Sequence, residues 1–477
     1  MTNILEPIRS TDVVPTSPPT PTTDALDVLA ALLPGQVARP GEPAWDELRH
    51  GFNLAVDQQP VAVVTVEDEE DVVAAVRWAT ELGATVTAQP AGHGATAAVD
   101  GAVLLRTRGL RDIVVDPVRR VARVGAGVKW GELLAASAPY GLTGLAGSTP
   151  DTTVTGFSLS GGLSWFGRAY GLAAHSVVGV DLVDPSGERR WVTATSDPEL
   201  FWALRGGGGD FGVAVALEIA LHPAPHVYGG RLMWPIEMAR PVLNLFAKAT
   251  KTAPEKLTLW THMLQFPPLP MVPEPMRGRS FVTVEAAYLG SAEEAERLIA
   301  PFRMIPALWA DTMDTVQLTE RGAICAEPEE PMPAMEFSGL LTHFDEAAVD
   351  ALVRAVGPGS GSPLLVVQVR HLGGALARGT AADGPAGAIS EPYQLLEVGV
   401  PMMPELVSAI QAAFARTGDA MAGHLSGRTS FTFLGSDDDP TRAFSDESLR
   451  RLRDMKQRVD PAGVVRSNRP VVRSTAG

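Results

Sequence analysis

The sequence predicts an α+β protein whose 477 residues divide into two domains near residue 225. Two observations carry this. Between residues 60 and 223, short apolar strand patterns alternate with helical patterns and glycine-rich turns. Beyond 225 the chain changes character: a proline-rich stretch at 263–279 is followed by long strand patterns and further helices. That length supports two or three domains and a large core.

Each element has a local reason. "PVAVVTV" (60–66) has the composition of a buried strand. "EDEEDVVAAVRWATELG" (67–83) is a helix pattern, with acidic residues in the first turn and Gly83 placed as a C-terminal cap. Strand patterns follow at 84–87 and 102–105, separated by a glycine loop that holds His93. "IVVD" (113–116) and "VARVGAG" (121–127) form a strand pair, and "WGELLAASAPYG" (130–141) is a short helix. Residues 176–194 have the form of a hairpin with a Pro-Ser-Gly turn. Residues 197–223 spell a short helix, a glycine turn and a long strand. In the second domain, strands are expected at 280–290, within 363–378 and at 392–402, with a helix at 291–305. A basic helix from 446 stops before Asp460-Pro461. Residues 11–23, rich in Pro, Thr and Ser, are expected to form a flexible tail, followed by a short helix at 24–33.

Bulk properties exclude several classes. The net charge of −16 disfavours a nucleic-acid partner. No stretch approaches the roughly 20 apolar residues of a membrane span, and the N-terminus lacks the pattern of a secretory signal. Cys325 is the sole cysteine, so neither an intramolecular disulfide nor a cysteine-based metal site is expected. No metal ligands are assigned, and a cytoplasmic location is expected.

Glycine-rich stretches occur at 91–94, 156–167 and 206–212. None stands in the strand-turn-helix context of a dinucleotide fingerprint, and the Gly-Lys-Ser/Thr phosphate loop is absent. Backbone amides in such turns still form anion-binding nests, so an extended cofactor lying along backbone is one reading and tight turns are the other. His93 in its glycine loop is either a structural donor or a point of chemistry.

The combination resembles the FAD-linked oxidases of the vanillyl-alcohol oxidase superfamily, in particular the berberine-bridge-enzyme-like branch. The segments that carry the resemblance are "FN" followed by "QQPVAVVTVEDEEDVVAAVRWA", "AGH", "GFSLSGGLSWFGRAYGLAAHSV", "DPELFWALRGGGGDFGVAVALE" and "RLRDMKQRVDPAGVV", in that order over about residues 40–470. The resemblance implies a two-domain, PCMH-type flavoprotein with an α+β substrate domain. Residues 1–40 would be a tail and short helix, 41–225 the FAD domain, 226–439 the substrate domain, and 440–477 a segment returning to the FAD domain. It implies FAD contacts from Ala91, Gly92, His93, Gly94, Ala95, Ser148, Thr149, Gly156, Ser158, Gly161, Gly162, Gly212, Val213 and Asn468. It also implies that His93 carries FAD covalently. A second link, made in some relatives by a cysteine, is not expected because Thr149 stands near that place. The loop departs from the usual pattern: "PAGHG" replaces "SGGHS", His175 replaces a frequent Asp, and Asp210 replaces a usual Asn.

Flavin oxidation of a carbinol or activated C–H also needs a group that takes a proton. His371, Tyr393 and Glu397 are the candidate catalytic residues, with His424 a further candidate. Alternation puts His371 on the face of Val369, and Gln368, Arg370 and Leu372 on the other. The expected function is an FAD-dependent oxidase that takes hydride from a mainly hydrophobic small molecule, such as a secondary metabolite, by alcohol oxidation, desaturation or oxidative cyclisation. O2 would return the flavin to its oxidised form and release H2O2. The alternatives are a flavin-dependent oxygenase, a dehydrogenase using another acceptor, and a flavin-containing protein that sequesters a small molecule. A homodimer is allowed.

Overall fold

The computed structural model describes residues 20–472 apart from 225, 271, 380–382 and 436–437. The greater part of the expected N-terminal tail lies outside the described residues. Its following helix is present as Thr23–Leu32, N-capped by Thr22.

Two small sheets come first. In one, strands Ala62–Thr65, Val103–Arg106 and Val86–Ala88 run parallel in that spatial order, and Val37–Ala38 adds an antiparallel edge. Parallel strands need a crossover, and helix Glu69–Leu82 supplies it. Its first turn is closed by a capping box of Asp68 and Asp71, and Gly83 ends it at φ 65°. The other sheet is antiparallel, in the order Ile113–Asp116, Val121–Gly125, Val213–Ala220, Val177–Val183, Arg189–Val192. Val183, Val213 and Val215 of this sheet pack with Val64, Val86 and Val103 of the first in one apolar cluster.

The C-terminal helix Asp446–Val459 is followed by a return to the first sheet, where Val465 pairs in parallel with Val86. Asp210 holds this return. Its carboxylate accepts from the Ser467 amide at 2.8 Å and the Val471 amide at 2.6 Å.

The region from Val227 to Gly399 builds an eight-stranded antiparallel sheet. Its long strands lie in the order Val227–Pro235, Ser280–Leu289, Leu257–Gln265, Val366–His371, Tyr393–Gly399, Met335–Leu341. Alternation divides it cleanly. Leu232, Leu259, Val284, Val369 and Leu395 point to one face, where they pack against Phe246, Ile299, Leu352 and Ile410 of helices Ala239–Thr250, Ala292–Arg303, Glu346–Val356 and Pro404–Ala420. The opposite face carries Arg231, Glu285, Trp260, His262, Gln368, Arg370, Gln394 and Glu336. It meets the earlier sheets: Trp260 stacks on Trp165 with ring centroids 3.5 Å apart. Of the long strands, Val227–Pro235, Leu257–Gln265 and Met335–Leu341 were not anticipated from sequence.

Candidate active site

The histidine loop is built by close backbone approach. Gly92 has φ 82°, and a Cβ there would lie 2.6 Å from the Gly51 Cα, so no larger residue fits without moving backbone. This packing sets Phe52 against His93, with stacked rings 4.0 Å apart. A side-chain network ties the loop down. Gln58 and Gln89 exchange hydrogen bonds at 3.1 and 3.0 Å, and Gln58 also donates to the Thr96 carbonyl at 2.8 Å. Asn468 accepts from Gln58 and from the Thr96 amide, both at 3.3 Å. Next to it, Arg469 donates to the Gly94 carbonyl at 3.1 Å. Asn468 is thus joined to the histidine loop despite its distance in sequence.

His93 Nε2 is buried and has no hydrogen-bond partner. Burial lowers the imidazole pKa to about 4; Asp151 opposes this and Lys129 adds to it. The ring is therefore neutral at physiological pH and keeps a nitrogen lone pair. Asp151 and Lys129 form an ion pair, and Lys129 bridges to Thr153 at the start of helix Val154–Leu159. That helix contributes Gly156 and Ser158, and the hydroxyls of Thr155 and Ser158 are buried without partners. Gly161 and Gly162 both have positive φ; a Cβ on Gly162 would meet Phe157 at 2.6 Å and Ala173 at 2.7 Å. The Gly162 amide donates to Thr432 at 2.8 Å. Val213 sits in the core that the two small sheets share, and the preceding Gly212 has no room for a Cβ beside the Val183 carbonyl. Ala91 and His93 are half-buried, Gly94 is exposed and Ala95 is buried. Thr149 accepts from the Asp151 amide at 3.3 Å.

These orphaned polar atoms are a fit test for a bound group, because buried polar atoms normally find partners. A neutral imidazole with a free nitrogen, partnerless hydroxyls and positive-φ glycines form a cradle that suits a long polar cofactor such as FAD.

The facing wall comes from the open face of the eight-stranded sheet. His371, Tyr393 and Glu397 alternate with Val369 and Leu395 onto the helix-packed face, away from the histidine loop. His371 Nε2 accepts from Arg168 at 2.9 Å, and burial, then Arg168, lowers its pKa to about 2. Tyr393 shares a hydrogen bond with Thr250 at 2.7 Å. Glu397 is wholly buried, and burial raises its pKa to about 8, with Thr417 and Arg416 opposing the rise. His424 stands apart, paired with His343.

A continuous polar chain occupies the cleft face instead. Arg231 donates to Glu285 at 2.8 Å, Glu285 pairs with His262 at 2.7 Å, and His262 contacts Gln368, which accepts from Arg370. Burial works against the charge of Glu285, but His262 and Arg231 outweigh it and hold the carboxyl below its ordinary range. Arg370 lies over Trp260 at 3.9 Å and over Phe433 at 4.7 Å. It reaches Ser148 of the first domain at 3.4 Å, and Ser148 donates to Glu327 at 3.0 Å.

Glu336 completes this wall. The segment before it runs beside Phe52: the Met332 amide donates to the Phe52 carbonyl at 3.1 Å, and Asn53 exchanges hydrogen bonds with Ala334 at 3.0 and 2.9 Å. Glu336 is thereby held two residues from a segment paired with the neighbour of His93's stacking partner. It keeps water-accessible surface, yet the surrounding protein raises its carboxyl above the ordinary value. Arg469 and Arg370 oppose the rise, and Glu327 adds to it.

Residues 60–193 match the family described as FAD binding domain. Over 454 residues, 91% of this chain and 96% of the relative, the sequence is 28% identical to (R)-6-hydroxynicotine oxidase of Paenarthrobacter nicotinovorans. The chain carries an FAD binding domain and is similar over most of its length to FAD-linked oxidoreductases. The fold of this FAD-linked oxidoreductase is shared with two solved structures. 6-hydroxy-D-nicotine oxidase of Arthrobacter nicotinovorans superposes with a TM-score of 0.77 at 22% identity, over 92% of this chain and 98% of that one. The BBE-like 1 protein of Physcomitrella patens gives 0.81 at 19% identity, over 95% and 100%.

Of the residues missed from sequence, Arg370 and Gln368 were placed on the correct opposite face but given no role. Glu336, Glu327, His262 and Glu285 carried no local motif. The signal that identifies them is three-dimensional: polar and titratable side chains gathered where one sheet face meets the first domain.

Proposed function

We propose that this flavoprotein is an oxidase of small molecules that holds FAD covalently through His93 and uses Glu336 as the proton acceptor. The observation that carries the reading is the pairing of the segment just before Glu336 with Phe52 and Asn53, next to the Phe52–His93 stack. When bound, the flavin supplies a hydride acceptor that O2 reoxidises with release of H2O2. The neutral His93 ring offers a nitrogen for the bond to the cofactor, and the Gln58–Gln89–Asn468 network keeps the ring in place. Glu336 takes the proton of an alcohol or amine as the adjacent C–H bond is oxidised; its raised pKa brings it nearer to neutral pH, where a general base works best. Arg370, buried between Trp260 and Phe433, acts through Glu336, whose carboxylate form it favours.

This lining revises the expectation of a mainly hydrophobic substrate. Of the side chains around Arg370 that keep accessible surface, Phe433 suits an aromatic or alicyclic body, while Glu327 and Glu336 call for at least one polar substituent. The similarity to a 6-hydroxynicotine oxidase adds amines to the alcohols, sugars and polycyclic phenols worth trying. The test is a screen of these classes for anaerobic flavin bleaching, followed by a peroxide assay in air. Bleaching with stoichiometric peroxide is expected. Bleaching without peroxide would replace oxidase by dehydrogenase, and ligand binding without bleaching by any class would favour sequestration.

A further inference from the structure

Away from the cleft, His343, Asp345 and His424 form a cluster that the flavin chemistry does not use. His343 and Asp345 lie in the turn leading into helix Glu346–Val356, and His424 follows helix Pro404–Ala420. Backbone bonds fix their approach. The Thr342 amide donates to the His424 carbonyl at 2.8 Å, and the His424 amide donates to the Met421 carbonyl at 2.8 Å. His343 Nε2 and His424 Nδ1 are 2.8 Å apart, and one ligand atom from each of the three residues lies within 4.8 Å of the others. Among the described residues this is the one group of at least three His, Cys, Asp or Glu side chains so arranged.

We propose that His343, Asp345 and His424 bind a divalent transition-metal ion, with Zn2+ as the fitting probe. Two imidazoles and a carboxylate are the donor set of Zn2+, Ni2+ or Cu2+ rather than of Ca2+ or Mg2+. Donors about 2.0–2.2 Å from a shared ion stand about 3–4 Å apart, so small rotations of these accessible side chains suffice. The two rings share one proton in their hydrogen bond; as the ion takes its place, that proton passes through solvent to the other nitrogen of the ring that donated it, so both rings bind as neutral imidazoles. Asp345 Oδ1 stays occupied as the N-cap acceptor from the Ala348 amide at 3.0 Å, which leaves Oδ2 for the ion. Water completes the coordination. The ion joins the turn before one helix to the end of another. It also anchors the chain that continues from His424 to Thr432, which receives the Gly162 amide at the cofactor cradle.

The test uses tag-free holoprotein, stripped with chelator, loaded with Zn2+ and passed through gel filtration, with zinc and protein measured together. One equivalent per chain is expected, with a higher Tm in Zn2+ than in chelator. His343→Ala and His424→Gln should each lose the equivalent and the Tm response. Asp345→Asn keeps a capping oxygen, so it should retain the fold yet bind Zn2+ at least tenfold more weakly. Flavin absorbance of each variant reports folding. Wild-type protein that retains no zinc, or variants that retain as much as wild type, would overturn the proposal.

Discussion

One face of the eight-stranded sheet is covered by helices; the other meets the first domain through Trp260 on Trp165 and Arg370 on Ser148. Both carry buried ionisable groups with displaced pKa values. On the helix side these are His371, held by Arg168, Tyr393, held by Thr250, and Glu397, beside Thr417 and Arg416, with no chain of bonds joining the three. On the cleft side, Glu285, His262, Gln368 and Arg370 hand hydrogen bonds from one to the next and end at residues of the other domain. A displaced pKa alone therefore does not mark the reactive wall. What marks it is the company of the group and the element that faces it.

The largest separation between the faces is expected from Glu336→Gln. Removing the base should slow anaerobic flavin reduction about 10²-fold or more while FAD stays bound. In wild type the rate should rise with pH through the Glu336 pKa, because the carboxylate must be unprotonated to accept a proton. This limb should vanish in the variant, as stopped-flow measurements across pH will show.

Arg370→Met should have the next effect, about tenfold on reduction. It also removes a cation that favours the Glu336 carboxylate, so the acid limb should move to higher pH. A loss of rate with an unmoved limb would separate Arg370 from Glu336.

Glu397→Gln should leave reduction unchanged and alter stability instead. Its folded pKa is raised from 4.5 to about 8, so between these values the folded state holds a proton that the unfolded chain releases. Wild-type stability should therefore fall as pH rises from about 4.5 and level off above about 8. The glutamine variant lacks this slope and should be the more stable protein at pH 8, by on the order of a few kcal/mol. Denaturant titrations at several pH values will test this. A loss of rate in this variant would erase the contrast between the faces.

The smallest effect is expected from Tyr393→Phe, which removes one hydrogen bond to Thr250. It should cost about 0.5–1.5 kcal/mol of stability and no rate.

The same contrast explains what was legible in the sequence. The histidine loop was legible because its glycines, His93 and the flanking strands are contiguous. The helix over Glu69–Leu82 announced itself through its acidic first turn and Gly83. Along Val366–His371, the two-residue period put His371 opposite Gln368 and Arg370, but no local pattern says which face helices cover. That depends on four helices spread from Ala239 to Ala420. Glu336 was hidden for a similar reason. It matters because Met332 and Ala334 pair with Phe52 and Asn53, far away in the chain. The strand Met335–Leu341 also mixes Glu, Ser and Gly among its apolar residues and gives a weak signal of its own.

The central claim, that His93 carries the cofactor at this cleft, is tested most directly by acid precipitation and intact mass of protein from a flavin-replete host. A covalent bond survives unfolding, whereas packing and hydrogen bonds do not. The account predicts a yellow pellet and a mass exceeding the polypeptide by one FAD, with His93→Ala folded but releasing its flavin to the supernatant. A colourless wild-type pellet with the bare polypeptide mass would contradict it and leave His93 as a stacked, neutral wall of the cradle.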